Sequence, residues 1–147
     1  MGERKAFGMG RHRVVAGLAG AAALVGSVIA LAPASAQQLA PITFTTAQAN
    51  AGRSAFGDNC AGCHGPQLQR AGGPALTGAG FQADWFGRPV GALYEFVSTN
   101  MPYDNPGGLA GAQYVALVAF LAQSNGLMAG STALPGDLEA LNTMGFR

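Results

Sequence analysis

The feature that most constrains the fold is a cluster of three reactive side chains within five residues. Cys60 and Cys63 are the two cysteines of the 147-residue chain, and His64 directly follows the second. On a helical turn, residues at i, i+3 and i+4 share one face, so the sequence places two thiols and an imidazole side by side. The fold of this chain has to accommodate whatever these three groups bind together.

Four chemistries use cysteines at this spacing. A structural disulfide suits an exported protein, but closing so short a loop removes little chain entropy. Thioredoxin-like redox motifs lie beside a βαβ pattern that is missing here, and zinc needs four ligands where this cluster offers three. Covalent attachment of haem c has the signature Cys-x-x-Cys-His. We therefore predict one haem c per chain, attached through Cys60 and Cys63, with His64 as the proximal iron ligand.

The N-terminal segment has the features of an export signal. Four of the first 13 residues are lysine or arginine, an apolar run occupies residues 14–32, and Ala-Ser-Ala follows at 34–36. This order is typical of a cleaved secretory signal peptide. We predict a signal peptide at residues 1–36 and a periplasmic domain at 37–147 with no membrane span. The apolar run is also just long enough to cross a bilayer, so a retained segment would anchor the protein in the membrane.

The predicted mature domain carries little charge. It has four arginines, no lysine and six acidic residues, which leaves a net charge of −2, and His64 is its single histidine. Nucleic-acid binding requires a basic patch. The sequence therefore predicts no nucleic-acid partner.

Apolar periodicity and helix-capping residues predict an all-α fold with four or five short helices. Thr45 and Gln48 match a capping box ahead of a helix at 46–59. The other predicted helices lie at about 81–86, 89–99 and 110–124, with a further turn or two near 137–141. Residues 37–44 are predicted to be irregular, and residues 64–80 form a loop rich in glycine and proline. Because so much of the domain is loop, something other than side chains is expected to fill its centre.

A second axial ligand to the iron has three candidates in the mature domain: Met101, Met128 and Met144. Met101 lies at the end of a predicted helix and directly before Pro102, after a loop long enough to wrap a haem. The other two methionines lie in a tail that begins at about residue 127. This context favours Met101 as the second metal ligand together with His64.

The chain resembles class I c-type cytochromes. The resemblance covers residues 45–125 and is carried by Gly52, Phe56, residues 60–64, residues 73–76, Met101, Pro102, Tyr114 and residues 117–121. It implies a class I cytochrome c fold in which the helices wrap around one covalently bound haem. It also implies that the first and last helices cross at Gly52, under Tyr114 and Leu117.

The same resemblance implies roles for residues around the haem. The carbonyl group of Pro74 would orient the ring of His64. The wall of the haem pocket would include Leu76, Trp85 and Leu93.

A narrower likeness links the chain to cytochrome domains associated with bacterial quinoprotein alcohol dehydrogenases. It rests on residues 44–48, residues 81–85 and the tail around Leu134 and Pro135. If His64 and Met101 both bind the iron, no position is left for a substrate, so the sequence predicts a single-electron carrier rather than an enzyme. Its redox partners would be a dehydrogenase, of the quinoprotein class in this likeness, as the electron donor and a terminal oxidase as the acceptor.

Two alternatives to a free carrier stay open at this point. One is an electron-transfer subunit of a stable dehydrogenase complex. The other is a haem enzyme or gas-binding protein whose sixth coordination site is open. The tail also has two possible roles, since it could cover the haem edge or dock a partner.

Overall fold

The computed structural model describes residues 38–147. The predicted signal peptide at residues 1–36 lies outside the described residues, and so does residue 37 of the predicted mature domain. In the described part, no helix is both long enough and apolar enough to cross a membrane. The elements are β1 Ala40–Pro41, α1 Thr46–Asn59, α2 Ala61–His64, α3 Ala79–Trp85, α4 Val90–Asn100, α5 Gly111–Ser124, α6 Leu138–Asn142 and β2 Met144–Gly145.

The predicted all-α class is confirmed, and the predicted helix bounds lie close to the observed ones. The first helix begins with the predicted capping box, in which Thr45 Oγ1 accepts from the backbone N–H of Gln48 at 3.2 Å. The Gln48 side chain accepts in return from the Thr45 N–H at 3.1 Å. These two bonds satisfy amides that the first turn of a helix leaves without partners. The capping residues therefore fix where α1 starts.

Helices α1 and α5 cross in direct backbone contact at Gly52. A Cβ atom on Gly52 would collide with the carbonyl oxygen of Ala116 and would lie 2.8 Å from Cβ of Phe120. The predicted close approach is confirmed, but the predicted contact residues are wrong. Ala116 and Phe120 are four residues apart on α5 and face α1. Tyr114 instead directs its hydroxyl at the backbone of Met101.

The other helices pack around α5, whose residues 114–122 are all buried. Helix α4 packs against α5 on one side and against α6 on the other. The short α6 confirms the turn or two predicted near 137–141, and Asp137 Oδ1 caps it by accepting from Ala140 N–H at 2.8 Å. The result is one core that extends from α1 through α5 and α4 to the tail.

The tail and the lead-in to α1 depart from the sequence prediction, because each orders the other. Strand β1 pairs in parallel with β2, and Gly130 N–H donates to the Phe44 carbonyl at 2.8 Å. The side chain of Gln48 makes two 2.9 Å bonds, one to the carbonyl and one to the N–H of Leu134. The sequence predicts an irregular lead-in broken by Pro41, and it does not reveal β1 because a two-residue strand is too short to show a period-two pattern.

Four large apolar side chains of the tail face the domain interior, whereas Met128 and Leu138 are exposed. Leu134, Leu141, Met144 and Phe146 are buried in the core. These side chains are therefore not free to contact a partner protein, which removes most of the apolar surface that a docking tail would need.

The crossing at Gly52 generates a stability prediction. Gly52→Ala should lower the free energy of unfolding by about 1–3 kcal/mol, because the added methyl group meets the α5 backbone. Gly57→Ala is the matched control on the same helix, since a Cβ there has nothing within 4 Å. That substitution should stabilise the protein by about 0.4–1 kcal/mol, because alanine costs less chain entropy. Thermal or denaturant unfolding of the two variants measures both effects, and equal stability of the two would contradict the packing described here.

Candidate haem site

The two thiols and the imidazole are positioned where α1 ends and α2 begins. Cys60 N–H donates to the Phe56 carbonyl at 2.8 Å, which completes the last turn of α1. The Cys60 carbonyl then accepts from Cys63 N–H at 3.1 Å and from His64 N–H at 2.9 Å. These bonds close a single turn, so the predicted helical turn over residues 60–64 is confirmed.

The cysteines are both free thiols in different environments. Cys63 is exposed, whereas Cys60 is half-buried between the two helices. Burial, and to a smaller extent the neighbouring Cys63, raise the pKa of the Cys60 thiol to about 11. Redox-active Cys-x-x-Cys pairs have a lowered thiol pKa, whereas the pKa of the Cys60 thiol is raised.

The imidazole of His64 is held in one orientation by the loop that follows it. The ring is only 8% exposed, and its Nδ1 lies 2.8 Å from the carbonyl oxygen of Pro74. Because a carbonyl can only accept, Nδ1 is the donor in this bond, and Nε2 is the ring nitrogen that the bond does not use. Nε2 has no hydrogen-bond partner among residues 38–147. A metal-binding histidine has this arrangement, with one ring nitrogen fixed and the other free.

The loop after His64 is fastened at several points that keep Pro74 in place. Gly73 N–H donates to the Cys63 carbonyl at 2.7 Å. Asn125 at the end of α5 donates from Nδ2 to the Leu76 carbonyl at 3.0 Å and accepts from Gly78 N–H at 3.2 Å. Asn125 is also the C-cap of α5. Nothing in the sequence distinguishes its role in the loop, since an Asn-Gly pair after a helix is already explained by capping.

The residues predicted for the haem wall lie on three separate elements. Leu76 follows Pro74 in the same loop and is partly buried against the core. Leu93 is fully buried on α4. Trp85 is half-buried at the end of α3, with its ring 5.5 Å from that of Phe96 and the Arg88 guanidinium 5.1 Å above it. Pro74 contacts His64 directly, while the wall roles of the other three residues stay predictions.

Met101 lies where α4 ends against α5. Its N–H donates to the Val97 carbonyl at 3.0 Å, which closes the last turn of α4. Its carbonyl accepts from the Tyr114 hydroxyl at 2.8 Å, and the same hydroxyl accepts from Leu109 N–H at 3.3 Å. The backbone of Met101 is therefore fixed from two helices, and its side chain is half-buried.

The other two methionines have different environments. Met128 is 89% exposed in the tail. Met144 is buried in β2, and its sulfur accepts from Thr43 Oγ1 at 3.9 Å. Of the three candidates, Met101 is therefore the one whose side chain is neither exposed on the tail nor already hydrogen-bonded through sulfur.

The residues present fit a covalently attached haem. Two free thiols and an imidazole with an available Nε2 share one turn, and a half-buried methionine ends a helix elsewhere in the domain. Within residues 38–147, no group of three or more His, Cys, Asp or Glu side chains is arranged to hold a metal ion. The ligation of iron by His64 and Met101 stays a prediction.

Comparison with known protein families identifies the class of the chain. The family model described as cytochrome c oxidase, cbb3-type, subunit III matches residues 47–121, just over half of the 147 residues. The match contains the cysteines, His64 and Met101. The chain is therefore a c-type cytochrome, and it belongs to this family. No curated protein and no solved structure matches the chain in the same comparisons.

This family and the helical structure together confirm a c-type cytochrome with an all-α fold of the class I kind. A c-type cytochrome implies haem c, redox partners and electron transfer. The association with quinoprotein alcohol dehydrogenases stays a prediction from the sequence.

The contact between Gly73 and His64 generates a prediction for the site. A Cβ on Gly73 would lie 2.8 Å from Cε1 and 3.0 Å from Nδ1 of His64. Since the ring is buried and bonded to Pro74, Gly73→Ala should push it out of position and destabilise the holoprotein by about 1–3 kcal/mol. Thermal unfolding measures the stability, and electron paramagnetic resonance of the oxidised protein measures the changed ligand field.

Gly72→Ala is the matched control for this substitution. A Cβ on Gly72 has its nearest neighbour, the Cys63 carbonyl oxygen, at 3.9 Å, which is ordinary contact. Gly72→Ala should leave both the resonance spectrum and the stability close to wild type. The same effect from both alanines would show that Gly73 does not set the ring orientation.

Proposed function

We propose that the protein is an exported single-electron carrier in which Cys60 and Cys63 hold one haem c and His64 and Met101 are the axial ligands. The family match supports electron transfer by a haem c protein. The observation that carries the proposal is the geometry of His64, whose Nδ1 is bonded to Pro74 while Nε2 stays free. A histidine with Nδ1 held by a carbonyl and Nε2 free, beside two thiols, has the arrangement expected of a metal ligand.

The chemistry of the proposed site follows from its ligands. Haem c supplies, when bound, an iron centre that changes oxidation state by one electron. His64 provides a nitrogen ligand in a fixed tautomer, and the thioether of Met101 raises the reduction potential relative to two nitrogen ligands. With both residues bound, no coordination position is left for a substrate. The chain is then suited to electron transfer and not to bond making at the metal.

We propose a periplasmic location on the basis of the N-terminal sequence. A signal peptide at residues 1–36 would deliver the chain through the membrane and leave a domain that starts at Gln37. Cytochromes with covalent haem need free thiols during attachment, and both cysteines of this chain are unpaired. If the apolar segment is retained, the same domain is tethered to the membrane surface.

The proposed partners are a dehydrogenase as electron donor and a terminal oxidase as acceptor. The description of the matched family names a cytochrome c oxidase. This supports a terminal oxidase as the electron acceptor. A donor of the quinoprotein class rests on the sequence likeness alone. Near Met101, Tyr103 is 86% exposed and Phe96 is 46% exposed. Apolar side chains of this kind, on a domain of low net charge, suit the small contact areas of transient redox complexes.

Replacing the methionine ligand tests the carrier function. Wild-type holoprotein should show the far-red charge-transfer band of methionine bound to iron(III) and should not bind carbon monoxide when reduced. Met101→Ala should lose the band and bind carbon monoxide, because the sixth position is then open. The measurement is an optical spectrum of the oxidised and reduced protein with and without carbon monoxide.

Met128→Ala is the matched control, because the Met128 side chain is 89% exposed. It should behave as wild type in every spectrum. A wild-type protein that is high-spin and binds carbon monoxide at once would refute the carrier proposal and favour an enzyme or gas-binding protein.

A further inference from the structure

The end of the chain contacts the segment that leads into α4. Phe146 stacks on Phe86 with ring centroids 5.9 Å apart and planes 18° apart. Pro89 forms an antiparallel bridge with Gly145, and a Cβ on Gly145 would lie 3.3 Å from the Arg88 carbonyl oxygen. We call residues 138–146, which comprise α6 and β2, the C-terminal clasp.

The clasp also packs directly on the first turn of α4 at Gly91. A Cβ on Gly91 would collide with Oδ1 of Asn142 and would lie 3.1 Å from Cδ1 of Leu138. Gly91 and the preceding Val90 are buried. The absence of a side chain at Gly91 therefore lets α6 approach α4 closely, in the way that Gly52 lets α1 approach α5.

Helix α4 connects the clasp to Met101 as a continuous rod. It has 11 residues from Val90 to Asn100, and Met101 is its C-cap. At 1.5 Å per residue the helix spans roughly 16 Å. The start of this rod is held by the clasp, and its end is held by the Tyr114 hydroxyl on the Met101 carbonyl. A change in the packing at Gly91 would therefore act on the same helix that ends at Met101.

We infer that the C-terminal clasp is a positioning element for Met101 and keeps its sulfur on the iron. This inference rests on the proposed function, since it requires Met101 to be the axial ligand. None of the clasp residues is proposed to bind the iron. They act by fixing the angle of α4, so loosening the clasp should weaken the methionine bond while leaving the attachment through Cys60, Cys63 and His64 intact.

The test is competition between Met101 and imidazole in oxidised holoprotein. Gly91→Leu places a side chain between α4 and α6 and should separate them. We expect this variant to bind imidazole about tenfold more tightly than wild type, a coupling of the size seen between connected sites. Its far-red band should weaken in parallel. Optical titration well below the unfolding temperature measures both quantities.

Two control variants distinguish an effect on the position of Met101 from a general loss of stability. Gly57→Leu adds the same side chain to α1 where a Cβ meets nothing within 4 Å. Gln48→Ala removes both bonds to Leu134 and the capping bond from the Thr45 N–H, so it loosens contacts that lie outside the clasp. Both controls should bind imidazole within about twofold of wild type, and Gln48→Ala should do so in spite of a lower unfolding temperature.

The outcomes distinguish a failure of the clasp inference from a failure of the proposed function. If Gly91→Leu binds imidazole as wild type does and keeps its far-red band, the clasp only stabilises the fold and the inference is wrong. If wild type itself lacks the band, the failure lies with Met101 as ligand. If Gly91→Leu does not yield folded holoprotein, Phe146→Leu takes its place, since it removes the ring that stacks on Phe86 with a smaller change in volume.

A reciprocal experiment uses the Met101→Ala holoprotein, because coupling between two sites acts in both directions. Loss of the methionine bond should speed hydrogen exchange at the clasp amides of Leu141 and Thr143, which are bonded within α6. The Gly130 amide, bonded to Phe44 outside the clasp, is the internal reference and should exchange as in wild type. Unchanged exchange at the two clasp amides would contradict the inference.

Discussion

The contact between α1 and α5 at Gly52 is the constraint on which the rest of the structure depends. A side chain at this position would collide with the α5 backbone at Ala116, so only glycine permits the crossing. Helix α1 ends at Cys60 and places the turn that carries the thiols and His64. Tyr114 on α5 bonds to Met101, and Asn125 at the C-cap of α5 bonds to the loop after Pro74. One crossing therefore sets the relative position of both halves of the site.

The site itself depends on backbone groups more than on charged side chains. Carbonyl oxygens of Pro74, Cys63 and Met101 accept the bonds that orient the ring, the loop and the end of α4. Because these groups belong to the backbone, the arrangement of the site does not depend on charged side chains. The site is therefore compatible with a surface that carries little charge. Such a domain is suited to brief contacts with redox partners.

Local features of the structure were predictable from the sequence, and contacts between distant residues were not. The capping box at Thr45, the helices and the turn at residues 60–64 follow from patterns within a few positions. Gly52 was identified from a family resemblance, but its contacts were misassigned because the rotation of α5 depends on packing. Phe86 stacks on Phe146 of the clasp, and Gln48 bonds to Leu134 in the part of the tail before the clasp. Pairings over such distances leave no periodic signal in the sequence.

Mass spectrometry of the exported protein tests the central claim most directly. After extraction with acidified organic solvent and proteolysis, we expect one haem to remain on the peptide that contains Cys60, Cys63 and His64. Covalent thioether bonds survive this treatment, whereas ligation through His64 and Met101 alone does not. A haem that is fully extracted, or a peptide in which the two cysteines form a disulfide, would contradict the account.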